Sequence, residues 1–294
     1  MIDIVSLLQN LSNGILIGLV YALIGIGLTL VFGVMRTINF AHGDFVVIGM
    51  YLAVVLNSLL GWDPYISLLV AMPAGYLLGV LIQRVILNKV VDAPQETTML
   101  ATLGLSLIIA NLLLLTFGGE PKSVRVSYAS STLPLGEVNI SVILLLAGTA
   151  TAIVTGMLYL LLNKTEIGRA IRATSENRLG AELSGINSRK IQAIVFGLGM
   201  MLAVTAGITL IPLLFANPTT TGSLFTLKAF VVIVLGGLGN IGAAIAGGIV
   251  LGLVEIFGAS YLASEYRDAY GLIAFLIILL MKPEGLFGRS VKRV

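Results

Sequence analysis

The 294-residue chain has no cysteine, which excludes disulfides, thiol catalysis and cysteine-held zinc. It has a single histidine, His42, which rules out the H-E-x-x-H pair and any two-histidine metal centre. There is no G-x-x-x-x-G-K-[ST] loop to cradle phosphates and no G-x-S-x-G elbow to present a serine, so neither nucleotide hydrolysis nor acyl transfer by this chain is expected. Charge is scarce as well: 11% of residues are Asp, Glu, Lys or Arg, against roughly 25% in soluble domains, which excludes a water-soluble globular fold. No low-complexity tract, soluble domain or short-period repeat is present, and no convincing match relates the two halves. The N-terminus lacks the basic region and small-residue cleavage site of a removable signal, so the first apolar stretch reads as a retained span.

Hydrophobic residues make up 57% of the chain and the mean hydropathy is +1.05. The apolar runs approach or exceed the roughly 20 residues a helix needs to cross a bilayer, whereas barrel strands would alternate over about ten. The fold class is therefore an all-α integral membrane protein, a polytopic helical bundle of about eight to ten spans forming one domain over residues 1–294. Reading from charge to charge predicts eight segments: Ile4 to Met35, Phe45 to Leu60, Pro64 to Gln83, Thr97 to Gly119, Val138 to Asn163, Ile191 to Leu227, Ala229 to Val254 and Ala269 to Met281. The first is read as one helix, an interfacial lead-in followed by a span from about Gly14.

The net charge of +3 comes from basic residues gathered between apolar runs, a positive-inside pattern rather than a nucleic-acid surface. Lys164, Arg169, Arg172, Arg178, Arg189 and Lys190 mark one cytoplasmic loop, and Lys282, Arg289, Lys292 and Arg293 a cytoplasmic tail. Arg36 and the pair Arg84 and Lys89 mark two more inner loops, which leaves the N-terminus outside. Three plain crossings after Lys190 would put the basic tail on the wrong side, so an element must fold back. The glycine-rich stretch 222–258 suits a broken or re-entrant hairpin opened between Gly236 and Gly242, with Gly237, Gly239 and Asn240 at its tip. The alternative is that these glycines only allow close helix packing.

Within 164–190, Thr165 and Ser175 are candidate N-caps with Glu166 and Glu176 just inside, and Gly185 is a suitable stop, predicting two helices of about nine residues. Helices that short are marginal in water and need something to dock against. Asn39, His42 and Asp44 are expected at the cytoplasmic end of the first span, as an inner gate or a structural turn. Lys228 and Glu255 would be costly facing lipid, so they either pair or sit at a surface. Thr219, Thr220 and Thr221 after Pro218 read as an ordinary turn or as hydroxyls at the outer mouth.

The run E-I-G-R-A-I-R-A-T-S-E-N-R-L-G-A-E-L-S-G-I-N, residues 166–187, resembles the coupling-helix loop of the branched-chain amino-acid permeases of ATP-binding-cassette importers, the Liv or HAAT family. G-L-T-L-V-F-G-V-M-R-T-I-N-F-A-H-G-D-F and V-L-G-G-L-G-N-I-G-A-A-I-A-G-G resemble that family's early and late signatures, and Y-L-A-S-E-Y-R-D-A-Y and K-P-E-G-L-F-G fit as well. The N-F-A-H-G-D variant and the short length point to the LivH type. The resemblance implies a multi-pass permease of a bacterial or archaeal cytoplasmic (inner) membrane. Its implied partners are a LivM-type second permease, two ATPase subunits carrying ATP and Mg, and an extracytoplasmic substrate-binding protein. No cofactor is expected on this chain itself. On this reading Arg169, Arg172, Glu176, Asn177 and Gly185 enter a cleft on the ATPase. Asn39, His42, Asp44, Gly236, Gly237, Gly239 and Asn240 are possible gate or pathway residues. Leucine, isoleucine and valine are the default cargo by resemblance, with urea, short amides or other amino acids as the alternative. An ion-coupled carrier or a passive channel are rival classes.

Overall fold

The computed structural model describes residues 4–237, 239–282, 285 and 286. Eleven α-helices account for most of the described chain: α1 Ile4–Met35, α2 His42–Leu60, α3 Pro64–Val85, α4 Gln95–Phe117, α5 Val142–Lys164, α6 Glu166–Glu176, α7 Arg178–Leu183, α8 Ser188–Leu210, α9 Thr221–Gly236, α10 Ile241–Tyr261 and α11 Arg267–Met281. Seven are long and apolar enough to cross a membrane, and α9, at 16 residues, is a shorter apolar helix. One small antiparallel hairpin, β1 Thr132–Leu135 and β2 Val138–Ser141, precedes α5. The predicted fifth span therefore starts four residues late, because Val138 to Ser141 pair with β1 instead.

α1 and α8 form the centre: nearly every residue of α1 from Tyr21 to Val31 and of α8 from Val195 to Leu210 is buried. α1 is a single helix of 32 residues, about 48 Å long, and its burial starts at Gly14, so the exposed first turns are the expected lead-in. Lipid supplies no hydrophobic drive for one helix to leave it for another, so helix pairs associate through close van der Waals contact between small residues. Gly14 and Gly18 of α1 meet Gly248 and Gly252 of α10 in this way, where an added Cβ would strike the opposing backbone. The outer helices show the complementary pattern, with Leu69, Leu100, Leu115 and Leu280 turned outward.

Two expectations are corrected. The boundary drawn at Lys228 is wrong: α8 ends at Leu210, and Lys228 lies buried inside α9. The connection 211–220 sets the real boundary, and a turn starting at Asn217, with Pro218 as its second residue, leads into α9. The Asn217 carboxamide oxygen accepts from the Thr219 and Thr220 amides, and the Thr219 hydroxyl donates to it at 2.8 Å. Thr219 to Thr221 thus serve a turn. With the boundary moved, four helices follow the 164–190 loop rather than three segments, two of them, α8 and α10, long and apolar enough to cross a membrane. The tail residues Arg289, Lys292 and Arg293 lie outside the described residues.

The second correction concerns depth. Asn39, His42 and Asp44 are not at an end of the bundle. The His42 ring sits beside Ile24 and Gly27, about three turns before the end of α1, and the Asn39 amide points at Met200 near the middle of α8, 3.9 Å away. The chain leaves α1 at Met35 and returns into the bundle as the non-helical segment 36–41 before α2 begins. Irregular backbone survives at such depth only when its polar groups find partners inside the protein. Thr102 of α4 accepts from the Phe40 amide at 3.1 Å, and Thr226 of α9 donates to the Phe40 carbonyl at 3.1 Å and accepts from the Gly43 amide at 2.8 Å. Two threonine hydroxyls on distant helices replace the ladder bonds that this turn gives up.

Candidate functional site

The loop between α5 and α8 is a built structure. The Thr165 hydroxyl accepts from the Gly168 amide at 3.1 Å and caps α6, as its place in the sequence predicts. Ser175 is not a cap: it lies inside α6, and its hydroxyl donates to the Arg172 carbonyl. Asn177 caps α7 instead, accepting from the Gly180 amide at 2.9 Å. α6 therefore runs 11 residues and α7 only six. Gly185 ends the pair with φ +84°, a left-handed conformation that side chains disfavour.

α6 buries Gly168, Ile171 and Thr174 against the bundle and exposes Arg169, Arg172 and Glu176. Arg172 nonetheless donates to the Leu162 carbonyl at the end of α5, and Arg169 makes a loose, exposed contact with Glu166 at 3.4 Å. On the far side, Leu179 and Leu183, one turn apart on α7, are 67% and 82% exposed.

One residue that sequence reasoning passed over, Asp92, and three that it read only as marks of the inner side, Arg36, Arg178 and Arg189, hold this loop in place. Asp92, between α3 and α4, accepts from Arg178 at 2.9 Å and from Arg189 at 3.3 Å. Hydrogen bonding and charge from Arg178, with a lesser share from Arg189, hold the Asp92 carboxyl below its ordinary value. Burial would lower the Arg178 guanidinium, but Asp92 and Glu182 outweigh it and leave it raised. Arg36, just past α1, donates to the Ser175 carbonyl at 2.8 Å and has φ +55°. These contacts bring the Arg36, Lys89 and 164–190 loops to one end of the bundle. No local pattern signals them, because each partner is remote in sequence.

The glycine-rich break falls where the sequence puts it. α9 stops at Gly236, Gly237 and Gly239 take φ of +109° and +86°, and Asn240 caps α10 by accepting from the Ala243 amide at 3.2 Å. Gly239 and Asn240 line a cavity of about 730 Å³ with Thr29 and Gly33 of α1 and Arg172 and Ser175 of α6. The glycine turn and the charged loop, far apart in the chain, share one space. Gly236 and Gly237 do not line it.

Lys228 and Glu255 pair with each other. Lys228 also bonds Asp268 at 2.8 Å, Glu255 bonds Arg267 at 3.4 Å, and the Tyr21 hydroxyl donates to Glu255 at 2.8 Å. Four helices, α1, α9, α10 and α11, meet on this network. Asp44 contrasts with it: it is 3% exposed and, among the described residues, makes no ion pair, and its Oδ2 has no hydrogen-bond partner. The His42 Nε2 donates to the Ile24 carbonyl at 2.9 Å.

Comparison with known proteins gives a consistent picture. The family described as branched-chain amino acid transport system, permease component, matches residues 10–281. The high-affinity branched-chain amino acid transport system permease protein BraD of Pseudomonas aeruginosa is 33% identical, covering 98% of this chain and 97% of that one. The corresponding permease protein LivH of Escherichia coli is 31% identical over 96% of each. Among solved structures, PsaBC from Streptococcus pneumoniae in complex with Fab superposes with a TM-score of 0.51 at 13% identity, covering 95% of this chain and 92% of that one, a likeness of fold.

Proposed function

The chain belongs to the family of branched-chain amino acid transport permease components, and on that footing we propose that it is a transmembrane subunit of an ATP-binding-cassette importer. It forms half of the path for leucine, isoleucine and valine. It is a transport subunit rather than an enzyme, working as one domain over residues 1–294. Its partners are a LivM-type permease, two ATPase subunits that hold ATP and Mg, and an extracytoplasmic binding protein that delivers the cargo. It resides in the cytoplasmic membrane with the 164–190 loop inside.

The observation that carries the coupling role is the exposure of Leu179 and Leu183 on a loop otherwise pinned to the bundle. A fully mobile loop would transmit nothing. A loop capped at Thr165 and Asn177 and clamped through Asp92 moves as a body with α3, α4 and α8. Arg169, Arg172, Glu176, Asn177 and Gly185 then present and shape the surface that enters the ATPase cleft. Its motion reaches the Gly236, Gly237, Gly239 and Asn240 turn through the shared cavity. Asn39, His42 and Asp44, buried deeper in the bundle, act as an inner gate.

Leu183→Asp in the complete importer tests this. Placing a carboxylate in a dry cleft should release the ATPase during purification and abolish ATP-driven leucine uptake, while the permease still reaches the membrane. Undiminished uptake and ATPase retention would remove the coupling assignment. Orientation is tested by Leu183→Cys, because the chain has no native thiol and Ser188 is buried. Labelling of intact cells from outside would overturn it.

A further inference from the structure

Only two acidic side chains among the described residues are almost wholly buried, Asp44 and Glu255. Glu255 is surrounded by Lys228, Arg267 and the Tyr21 hydroxyl. Asp44 has no cation, and its Oδ2 is unpartnered. Its place in the first turn of α2 lets the helix N-terminus offset part of the cost of burying a carboxylate, but a dipole does not satisfy the free oxygen.

Residues next to that carboxylate border a cavity. Gly222 of α9 packs against the Asp44 carboxyl, and Ser106 of α4 lies near enough to act on it electrostatically. Ser106, Ser223 and Thr226 line a cavity of about 500 Å³ whose other walls are apolar, among them Leu28, Met99, Leu103 and Phe230. That volume falls within the ~300–1,000 Å³ of small-molecule sites. A space with a hydroxyl-lined edge backed by an unpaired carboxylate, and aliphatic and aromatic walls elsewhere, fits a guest with one cationic donor group and one apolar body.

We infer that this cavity is a transit site for the transported amino acid, in which Asp44, with Ser106, receives the α-ammonium group while Leu28, Met99, Leu103 and Phe230 enclose the aliphatic side chain. The inference rests on the amino-acid permease reading above and adds the substrate-contacting residues to it. A primary ammonium brings three donors and a positive charge, the complement of a carboxylate that has no counter-ion among the described residues. The Gly43 amide is fixed on Thr226 and the Gly222 backbone abuts Gly43, which sets Asp44 against the cavity edge.

The experiment uses the purified complex of both permeases and both ATPases, without the binding protein that would itself take leucine, and measures the thermal shift on adding L-leucine, isocaproate, which lacks the amino group, or isoamylamine, which keeps it without the carboxylate. In the native complex L-leucine and isoamylamine should stabilise and isocaproate should not. Asp44→Asn should weaken the L-leucine response about tenfold or more, the loss of a charge-assisted bond, and Asp44→Glu should restore part of it. Equal responses to L-leucine and isocaproate, or an unchanged response in Asp44→Asn, would overturn the proposal. So would loss of the second permease from the Asp44→Asn complex, which would make the counter-charge a residue of that subunit. So would equal loss of unliganded heat stability in both variants, the mark of a structural carboxylate. If the native importer takes up no amino acid in vesicles, the permease reading itself has failed, a result separable from the others.

Discussion

The Lys228 network makes a quantitative demand. Its charges cancel: Lys228 and Arg267 contribute +2, Glu255 and Asp268 contribute −2. Removing Glu255 leaves +1, removing Lys228 leaves −1, and removing both restores zero. Stranding a buried charge by deleting one partner costs about 3–5 kcal/mol, whereas apolar replacement of a whole buried pair is often neutral. Arg267 and Asp268 are 33% and 53% exposed and water relaxes part of the imbalance, so the lower end, about 3 kcal/mol, is expected for Glu255→Met and for Lys228→Met. The double variant should lie within about 1–2 kcal/mol of the native chain, a coupling of several kcal/mol between the two sites. Reversible unfolding in mixed micelles, followed across the four variants, measures this cycle. Additive single effects would show that the two residues do not act as a pair and would refute the argument.

Three further outcomes follow from the geometry. Gly43→Ala should destabilise by about 1–3 kcal/mol in the same unfolding assay, because the added methyl meets the Gly222 carbonyl and the Thr226 amide. Asn177→Ala should cost α7 about 1 kcal/mol by leaving the Gly180 amide uncapped, and should lower uptake more than it lowers membrane insertion. The Asp92 clamp has a defined pH sense. Its carboxyl is held below the unfolded value of about 3.9, so its contribution is complete above that value and disappears as pH falls through the lower folded one. Spin-label distances from Leu183 to the α3–α4 loop should therefore stay constant from about pH 5 to 8, lengthen in Asp92→Asn at every pH, and leave global stability within about 0.5 kcal/mol because the pair is exposed.

How far the sequence can be read depends on the range of the interaction. Thr165 as a cap, Gly185 as a stop and the break after Gly236 are legible because each depends on one residue type acting on backbone a few positions away. Ser175 was misjudged because two capping-type residues stand two apart, and the choice of Asn177 follows from α6 burying Thr174 and so continuing through Ser175. Lys228 misled the segment count for a different reason: a lysine signals a membrane boundary only if its charge must reach water. Its counter-ions lie on α10 and α11, and the Tyr21 hydroxyl that completes the network is 234 residues from Glu255.

By itself the sequence determined that the chain lives in a bilayer, that a glycine turn breaks it after Gly236, and that the charged loop folds as two capped helices, because scarcity of charge, glycine geometry and capping are local properties of the chain. Only the tertiary structure decided that segment 36–41 re-enters the bundle, that Asp44 stands unpaired beside a cavity while Glu255 does not, and that the glycine turn and the charged loop border one space. The physical reason is that buried backbone and buried charge are tolerated only through partners, and here those partners are the Thr102 and Thr226 hydroxyls, Lys228 and Arg267, each delivered by a helix distant in sequence.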